Sequence, residues 1–168
     1  EGILEGYVDF EREVSAIVAR GLDGSTACFD VVDNVHQNHI LAETRAPSTI
    51  PPALAERAQE IACKLSDAFD MAGLLAVEMF VTTTGELLVN ELAARPHNSG
   101  HWTIDACHAS QFEQFIRAVA GLPLGDPSRH SDAVMENLLG DGIDAWASLL
   151  AEPNAKLHLY GKAEARPG

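Results

Sequence analysis

The chain alternates between two hydrophobic rhythms, and the switches between them divide it into elements. Residues 13–20 (EVSAIVAR) alternate apolar and polar positions and are rich in β-formers, which predicts a strand. Leu22-Asp23-Gly24-Ser25 is a turn, and residues 26–33 read as the returning strand of a hairpin. Residues 34–50 are polar and follow neither period, so they read as irregular. Pro51-Pro52 opens a helix over 53–69, with Leu54, Ala58, Ile61, Leu65 and Phe69 on one stripe. Residues 74–82 are an apolar run broken by Glu78, the pattern of a buried strand. Thr83-Thr84-Gly85-Glu86 is a turn and residues 86–92 are the partner strand. Residues 104–120 predict a helix striped by Phe112, Phe115, Ile116 and Val119, ended at Gly121-Leu122-Pro123-Leu124-Gly125. Short strands over 133–139 and 156–160 and a helix near 145–150 complete an α+β chain with antiparallel hairpins.

Composition narrows the class. The 168 residues suffice for one domain with a sizeable core or for two small lobes, and 46% apolar content predicts a packed globular protein. A net charge of −14 argues against a nucleic-acid surface and against an anionic membrane, while leaving room for a small anion held by local cations. No run approaches the roughly 20 apolar residues of a membrane span. No signal peptide opens the chain. The three cysteines are far apart, odd in number and form no CxxC, which predicts free thiols in a reducing cytoplasm. Both ends read as cut: residues 1–7 resemble the end of a strand and residues 164–168 stop in a turn, so a fragment is expected.

The candidate chemistry is concentrated after the second hairpin. With a two-residue turn at Thr84-Gly85, facing positions sum to 169, so Phe80 faces Val89, Thr82 faces Leu87 and Glu78 faces Glu91. Two like charges opposite each other on a sheet are destabilising, and burying either costs more. A divalent cation removes both objections, and hard oxygen donors without thiolate suggest Mg²⁺, or Mn²⁺ in its place, completed by phosphate oxygens. The alternative is that one carboxylate points out of the sheet or pairs with Arg95. Asn90 is a further oxygen donor, or an amide capping the next turn, and it joins Glu91 on one face only if the strand bulges there. In Arg95-Pro96-His97-Asn98-Ser99-Gly100-His101, Arg95 offers a planar fork to an anion, the Ser99 and Gly100 N–H groups form a candidate anion nest, and His97 and His101 are candidate donors or proton shuttles. Glu13, at a strand start, could accept hydrogen bonds from a ribose or simply belong to a charged face. His36 and His39 lack the partners of a zinc site. No Walker A, GxGxxG or GxSxG motif occurs.

An acid in one strand and an Asn-Glu pair ending the next, here Glu78 and Asn90-Glu91, resemble the metal-nucleotide site of the ATP-grasp superfamily. The continuation from Asn90 to Thr103, with Ser110-Gln111-Phe112-Glu113-Gln114, Glu11-Arg12-Glu13-Val14-Ser15, Asn34-Val35-His36-Gln37 and Gly121-Leu122-Pro123-Leu124, looks like the 5-(carboxyamino)imidazole ribonucleotide synthase family over nearly the whole chain. That resemblance implies ATP- and bicarbonate-dependent carboxylation of aminoimidazole ribonucleotide through carboxyphosphate, in purine synthesis, by an enzyme that is commonly a homodimer. It implies an adenine hinge at Glu5, Gly6, Tyr7 and Val8, nucleotide contacts from Glu13, His36, Asn90 and Glu91, Mg²⁺ on Glu78 and Glu91, and bicarbonate or carboxyphosphate on Arg95, His97 and Asn98. It further implies that residues 1–125 are the C-terminal portion of the ATP-grasp domain, an antiparallel sheet with flanking helices. Residues 126–168 would be part of a small β-rich C-terminal domain, and the fragment would be inactive alone. Ala94 stands where the family usually has proline, which loosens the backbone before Arg95. One rival is formate-dependent glycinamide ribonucleotide transformylase, which has Asp-Thr-Gly-Met where this chain has Asn98-Ser99-Gly100-His101. The other is a non-catalytic acidic interaction domain, which would need no cation.

Overall fold

The computed structural model describes residue 2 and residues 4–161. Its centre is one seven-stranded sheet in the order β6 (Leu87–Ala93), β5 (Gly73–Thr82), β1 (Phe10–Arg20), β3 (Val32–Gln37), β4 (Ile40–Ala46), β7 (Ala133–Glu136), with β2 (Thr26–Cys28) also on β1 and every pairing antiparallel. The long strand β1 (Phe10–Arg20) pairs along its length with β5 (Gly73–Thr82), the two most deeply buried strands of the sheet. On its other edge β1 pairs first with β3 (Val32–Gln37) and then with β2 (Thr26–Cys28). The single strand expected over 26–33 is thus two pieces on one edge, separated where Phe29 and Val31 turn their side chains into the core.

Residues 34–50, expected to be irregular, supply the end of β3 and all of β4 (Ile40–Ala46). Asn38 and His39 join them with φ of 51° and 65°, the left-handed pair that a two-residue hairpin turn requires. Periodicity missed this hairpin because its inward positions are polar. Asn34 and Thr44 are buried, Asn34 donates to the Ser15 hydroxyl, and Thr44 donates to Asn34 Oδ1 at 3.1 Å. A polar strip that satisfies itself can be buried without an apolar alternation.

Helix α1 (Pro52–Ala68) covers one face of the sheet. Its inward positions Ala58 and Ala62 are fully buried and small, so the helix lies close on Val14, Ala16, Val18, Leu75 and Val77. The opposite face is divided. Ile17, Ala19, Leu74 and Ala76 form its apolar half, packed under Trp102, Ala106 and Cys107 with Phe115 alongside, while Glu13, Ser15, Asn34 and Glu78 form its polar half.

The helix expected over 104–120 is broken into α2 (Thr103–Ala106) and α3 (Gln111–Val119). The backbone at 107–109 leaves helical geometry to bond the segment 126–130: His108 N–H to Ser128 O, Ala109 N–H to Asp126 O, and His130 N–H to Ala106 O. Ser110 then caps α3 by accepting from the Glu113 N–H. The face of α3 is also not the expected one. Phe112, Ile116 and Val119 are exposed, and Gln111 and Gln114 point inward, fully buried. Each glutamine clamps a distant backbone with both ends of its amide, Gln114 holding Gly125 through bonds of 2.7 and 2.9 Å.

Strand β7 (Ala133–Glu136) adds to β4, shorter than the run expected over 133–139. Beyond it lie a 3-10 turn and the short helix α4 (Trp146–Leu149). Residues 156–160 form no strand, because no strand edge pairs with them. They are instead pinned through side chains, His158 to Asp105 at 2.6 Å and Tyr160 edge-on to His101. The expectation for residues 164–168 lies outside the described residues. No helix among the described residues is long and apolar enough to cross a membrane.

Thr44→Val keeps the shape of that side chain but leaves the buried Asn34 carbonyl without its donor. The expected cost is about 1–3 kcal/mol of stability. Urea unfolding of the two chains measures it, and an unchanged midpoint would show that the polar strip does not hold the β3–β4 hairpin.

Candidate functional site

The β5–β6 hairpin sets the site. Strand β6 (Leu87–Ala93) pairs with β5 so that Val81 faces Leu87, Phe80 faces Leu88 and Met79 faces Val89. These pairs are one step off the expected register, because Thr82 and Glu86 close a longer turn. A bulge between Glu78 and Met79 then absorbs Asn90 and restores Glu78 opposite Glu91. The expected facing of the two acids is therefore present, while the expected Phe80–Val89 and Thr82–Leu87 pairs are not. A bulge sets two residues against one, so Asn90 and Glu91 both lie opposite Glu78.

Glu78 is partly buried in an apolar strand, and its compensation comes from the turn after β6. Its Oε1 lies 3.2 Å from His97 Nε2. The Ser99 N–H donates to His97 Nδ1 at 3.3 Å, and the Ser99 hydroxyl sits 2.8 Å from the same nitrogen. These partners assign the ring proton to Nε2, from which His97 donates to the carboxylate. The His97 hydrogen bond holds the Glu78 carboxyl below its ordinary value against the opposing effect of burial.

His97 is itself held from behind. Gln111 accepts from the His97 N–H at 2.9 Å and donates to the His97 carbonyl at 2.7 Å. The Gln111 N–H donates to Thr103 Oγ1, and that hydroxyl donates to the Gly100 carbonyl. His101 donates from Nδ1 to the His97 carbonyl at 2.9 Å and packs its ring against Phe112 and Tyr160. Gly100 is required by closeness: a Cβ there would sit 2.5 Å from Gln111 Oε1 and 2.6 Å from Ile17 Cδ1. Gln111 is the residue that reading the sequence for chemistry missed. Its only signal was a polar residue just inside a Ser-capped helix.

The other expected residues fall into place unevenly. Glu13 and His36 meet on neighbouring strands, with Glu13 Oε2 2.7 Å from His36 Nδ1. Arg95 is exposed, donates only to the Pro96 carbonyl and forms no ion pair among the described residues. Asn98 begins a 3-10 turn (Asn98–Gly100). The candidate anion nest is not available: the Ser99 N–H is spent on His97 Nδ1 and the Gly100 N–H on the His97 carbonyl. Glu5, Gly6 and Tyr7 are exposed and Val8 half-buried in irregular chain leading into β1. No group of three or more His, Cys, Asp or Glu side chains converges among the described residues. Glu78, Glu91 and Asn90 are hard oxygen donors, so a cation held here would complete its shell from phosphate and water, the habit of Mg²⁺ rather than zinc. Two surface hollows lie away from these residues, one beside Arg12, Ile50 and Leu54 and one beside Gln37 and Asn137. The chemistry sits on an open sheet face.

A family model described as ATP-grasp domain matches residues 1–112, and the chain belongs to the ATP-grasp family. Residues 133–168 match a model described as phosphoribosylaminoimidazole carboxylase C-terminal domain. The chain is 58% identical over 166 residues, 99% of its length, to N5-carboxyaminoimidazole ribonucleotide synthase from Brucella melitensis. It spans 46% of that relative's length. Among solved structures it resembles the ADP complex of an N5-carboxyaminoimidazole ribonucleotide synthetase, with 47% identity and a TM-score of 0.92 over 96% of this chain and 43% of that one. It also resembles the Aspergillus clavatus N5-carboxyaminoimidazole synthase in complex with ADP and 5-aminoimidazole ribonucleotide, with 34% identity and a TM-score of 0.91 over 96% of this chain and 45% of that one.

The depressed Glu78 carboxyl makes a signed prediction. A group whose folded value lies below its unfolded value of about 4.5 adds stability above that value and loses it as pH falls through the folded one. The difference in urea midpoint between the wild-type chain and Glu78→Gln should be largest near neutral pH and shrink as pH falls below the ordinary carboxyl range. An equal difference at both ends would remove the His97 contact as its cause.

Proposed function

We propose that this chain is part of an ATP-dependent carbon–nitrogen ligase that carboxylates 5-aminoimidazole ribonucleotide with bicarbonate in purine biosynthesis. The observation that carries the reading is the pairing of Glu78 with Glu91 across the bulged hairpin, followed directly by the Arg95-Pro96-His97 turn. The similarity to the named synthases over almost the whole chain supports it. Because the chain spans less than half of the Brucella relative, the remaining nucleotide and substrate contacts are assigned to the rest of a longer protein, and this portion alone is expected to be inactive. The two family matches support a division of the chain near residues 125 and 126, with β7 docking the second part on the sheet.

In this reading Glu5 to Val8 form the hinge beside the adenine, and Glu13, paired with His36, accepts from the ribose. Glu78, Glu91 and Asn90 hold Mg²⁺, with Mn²⁺ as a substitute, and the ion supplies neutralisation of the charge on the nucleotide phosphates. His97 keeps Glu78 ionised and oriented. Arg95, exposed and without an ion pair among the described residues, takes the anion: bicarbonate, as its oxygen attacks the γ-phosphoryl group, and then the carboxyphosphate formed with release of ADP. Asn98 offers its amide to the same anion. The exocyclic amine of the ribonucleotide then takes the carboxyl group and phosphate leaves. The protein acts in the cytoplasm as a homodimer with small-molecule substrates, without nucleic acid or membrane.

The test is ATP hydrolysis by the full-length protein. Bicarbonate together with aminoimidazole ribonucleotide should stimulate phosphate release, formate should not, and Arg95→Ala should lower kcat by about 10²-fold or more. Stimulation by formate with glycinamide ribonucleotide would transfer the chain to the transformylase, and no substrate-dependent hydrolysis at all would favour a non-catalytic domain.

A further inference from the structure

The face of α1 that meets the β1–β2 hairpin carries three contacts spaced one helical turn apart. Gln59 Nε2 donates to the Phe29 carbonyl at 3.0 Å. Four residues on, Cys63 Sγ lies 3.1 Å from Cys28 Sγ. Four further, Asp67 Oδ1 accepts from Arg20 Nε at 2.8 Å, and Arg20 also donates to the Met71 carbonyl at 2.8 Å. Residues at i, i+4 and i+8 share one helix face, so the polar contacts above and below the two sulfurs fix the helix in register against the hairpin. These ties hold the two cysteine backbones side by side, so a side-chain rotation within the folded protein is enough to bring the sulfurs to 3.1 Å. Both cysteines are half-buried rather than sealed.

From this geometry we propose that Cys28 and Cys63 are a reversible disulfide site, closed by a small oxidant of the peroxide class and reopened by thiol reductants. One thiolate sulfur attacks a peroxide oxygen, the O–O bond breaks, and water leaves behind a sulfenic acid. The second sulfur attacks that sulfenic sulfur, the S–O bond breaks and a second water departs. In sum, two thiols and one hydrogen peroxide give one disulfide and two waters. Burial pushes the Cys28 thiol up, which disfavours its thiolate and slows the first attack from that sulfur. The bond would join α1 to the hairpin on the face of the sheet opposite Glu78, locking the helix without touching the polar half of the sheet. Cys107 is buried in the other core cluster and serves as an internal control.

The experiment treats the full-length protein with hydrogen peroxide, then unfolds it in alkylating reagent and maps the free thiols by peptide. The thiols of Cys28 and Cys63 should be lost together while that of Cys107 stays free, with the peptides carrying residues 28 and 63 cross-linked, unchanged circular dichroism, and full recovery with dithiothreitol. Cys28→Ser and Cys63→Ser should each abolish the intramolecular cross-link while leaving Cys107 alkylatable. The proposal is overturned if all three thiols survive, if the loss appears as intermolecular dimers or irreversible sulfinic acid, or if the cross-link forms only in the unfolded chain.

Discussion

The structure turns on one carboxylate in the wrong solvent. Glu78 interrupts the most deeply buried strand of the sheet and faces a second acid across the hairpin. Left alone, either feature would weaken the central sheet. The fold answers with the turn after β6, which brings the His97 ring to the carboxylate and fixes the ring's proton by spending its other nitrogen on Ser99. Gln111 and Thr103 hold that turn, and they can do so because the chain breaks out of helix at Cys107 and restarts under a Ser110 cap. The helix break is thus part of the site.

The same constraint explains the two-faced sheet. Where α1 covers it, small alanines and β-branched strands make an ordinary apolar layer. On the opposite face the apolar packing stops beside Ser15 and Glu78, and polar side chains continue across β1, β3 and β4 as pairs that satisfy one another: Glu13 with His36, Ser15 with Asn34, Asn34 with Thr44. An open polar face bounded by a charged turn suits a ligand carrying phosphates better than it suits a protein core.

Much of this was legible in the sequence, and the failures share a cause. The strands β1 and β5 and the helix α1 followed from periodicity and turn chemistry. The β3–β4 hairpin did not, because Asn34, His36 and Thr44 occupy positions where an alternation rule expects apolar side chains. The facing of α3 was misread for the complementary reason: Gln111 and Gln114 are buried by their two-point hydrogen bonds, and the phenylalanine stripe is left partly outside. The register was right at the acids for a reason the sequence did not show, since a longer turn and a bulge at Asn90 offset each other. Hydrophobic pattern reads apolar burial well. It does not see burial that rests on amides and hydroxyls finding specific partners.

The central claim is that Glu78 and Glu91 together hold a divalent cation beside nucleotide phosphates. Electron paramagnetic resonance of Mn²⁺ titrated into the full-length protein with ADP measures this without any turnover. The account predicts one nucleotide-dependent bound Mn²⁺ whose affinity falls by about tenfold or more in Glu91→Gln, as expected when one of two carboxylate ligands is lost. Unchanged Mn²⁺ affinity in that variant, with ADP still bound, would contradict it.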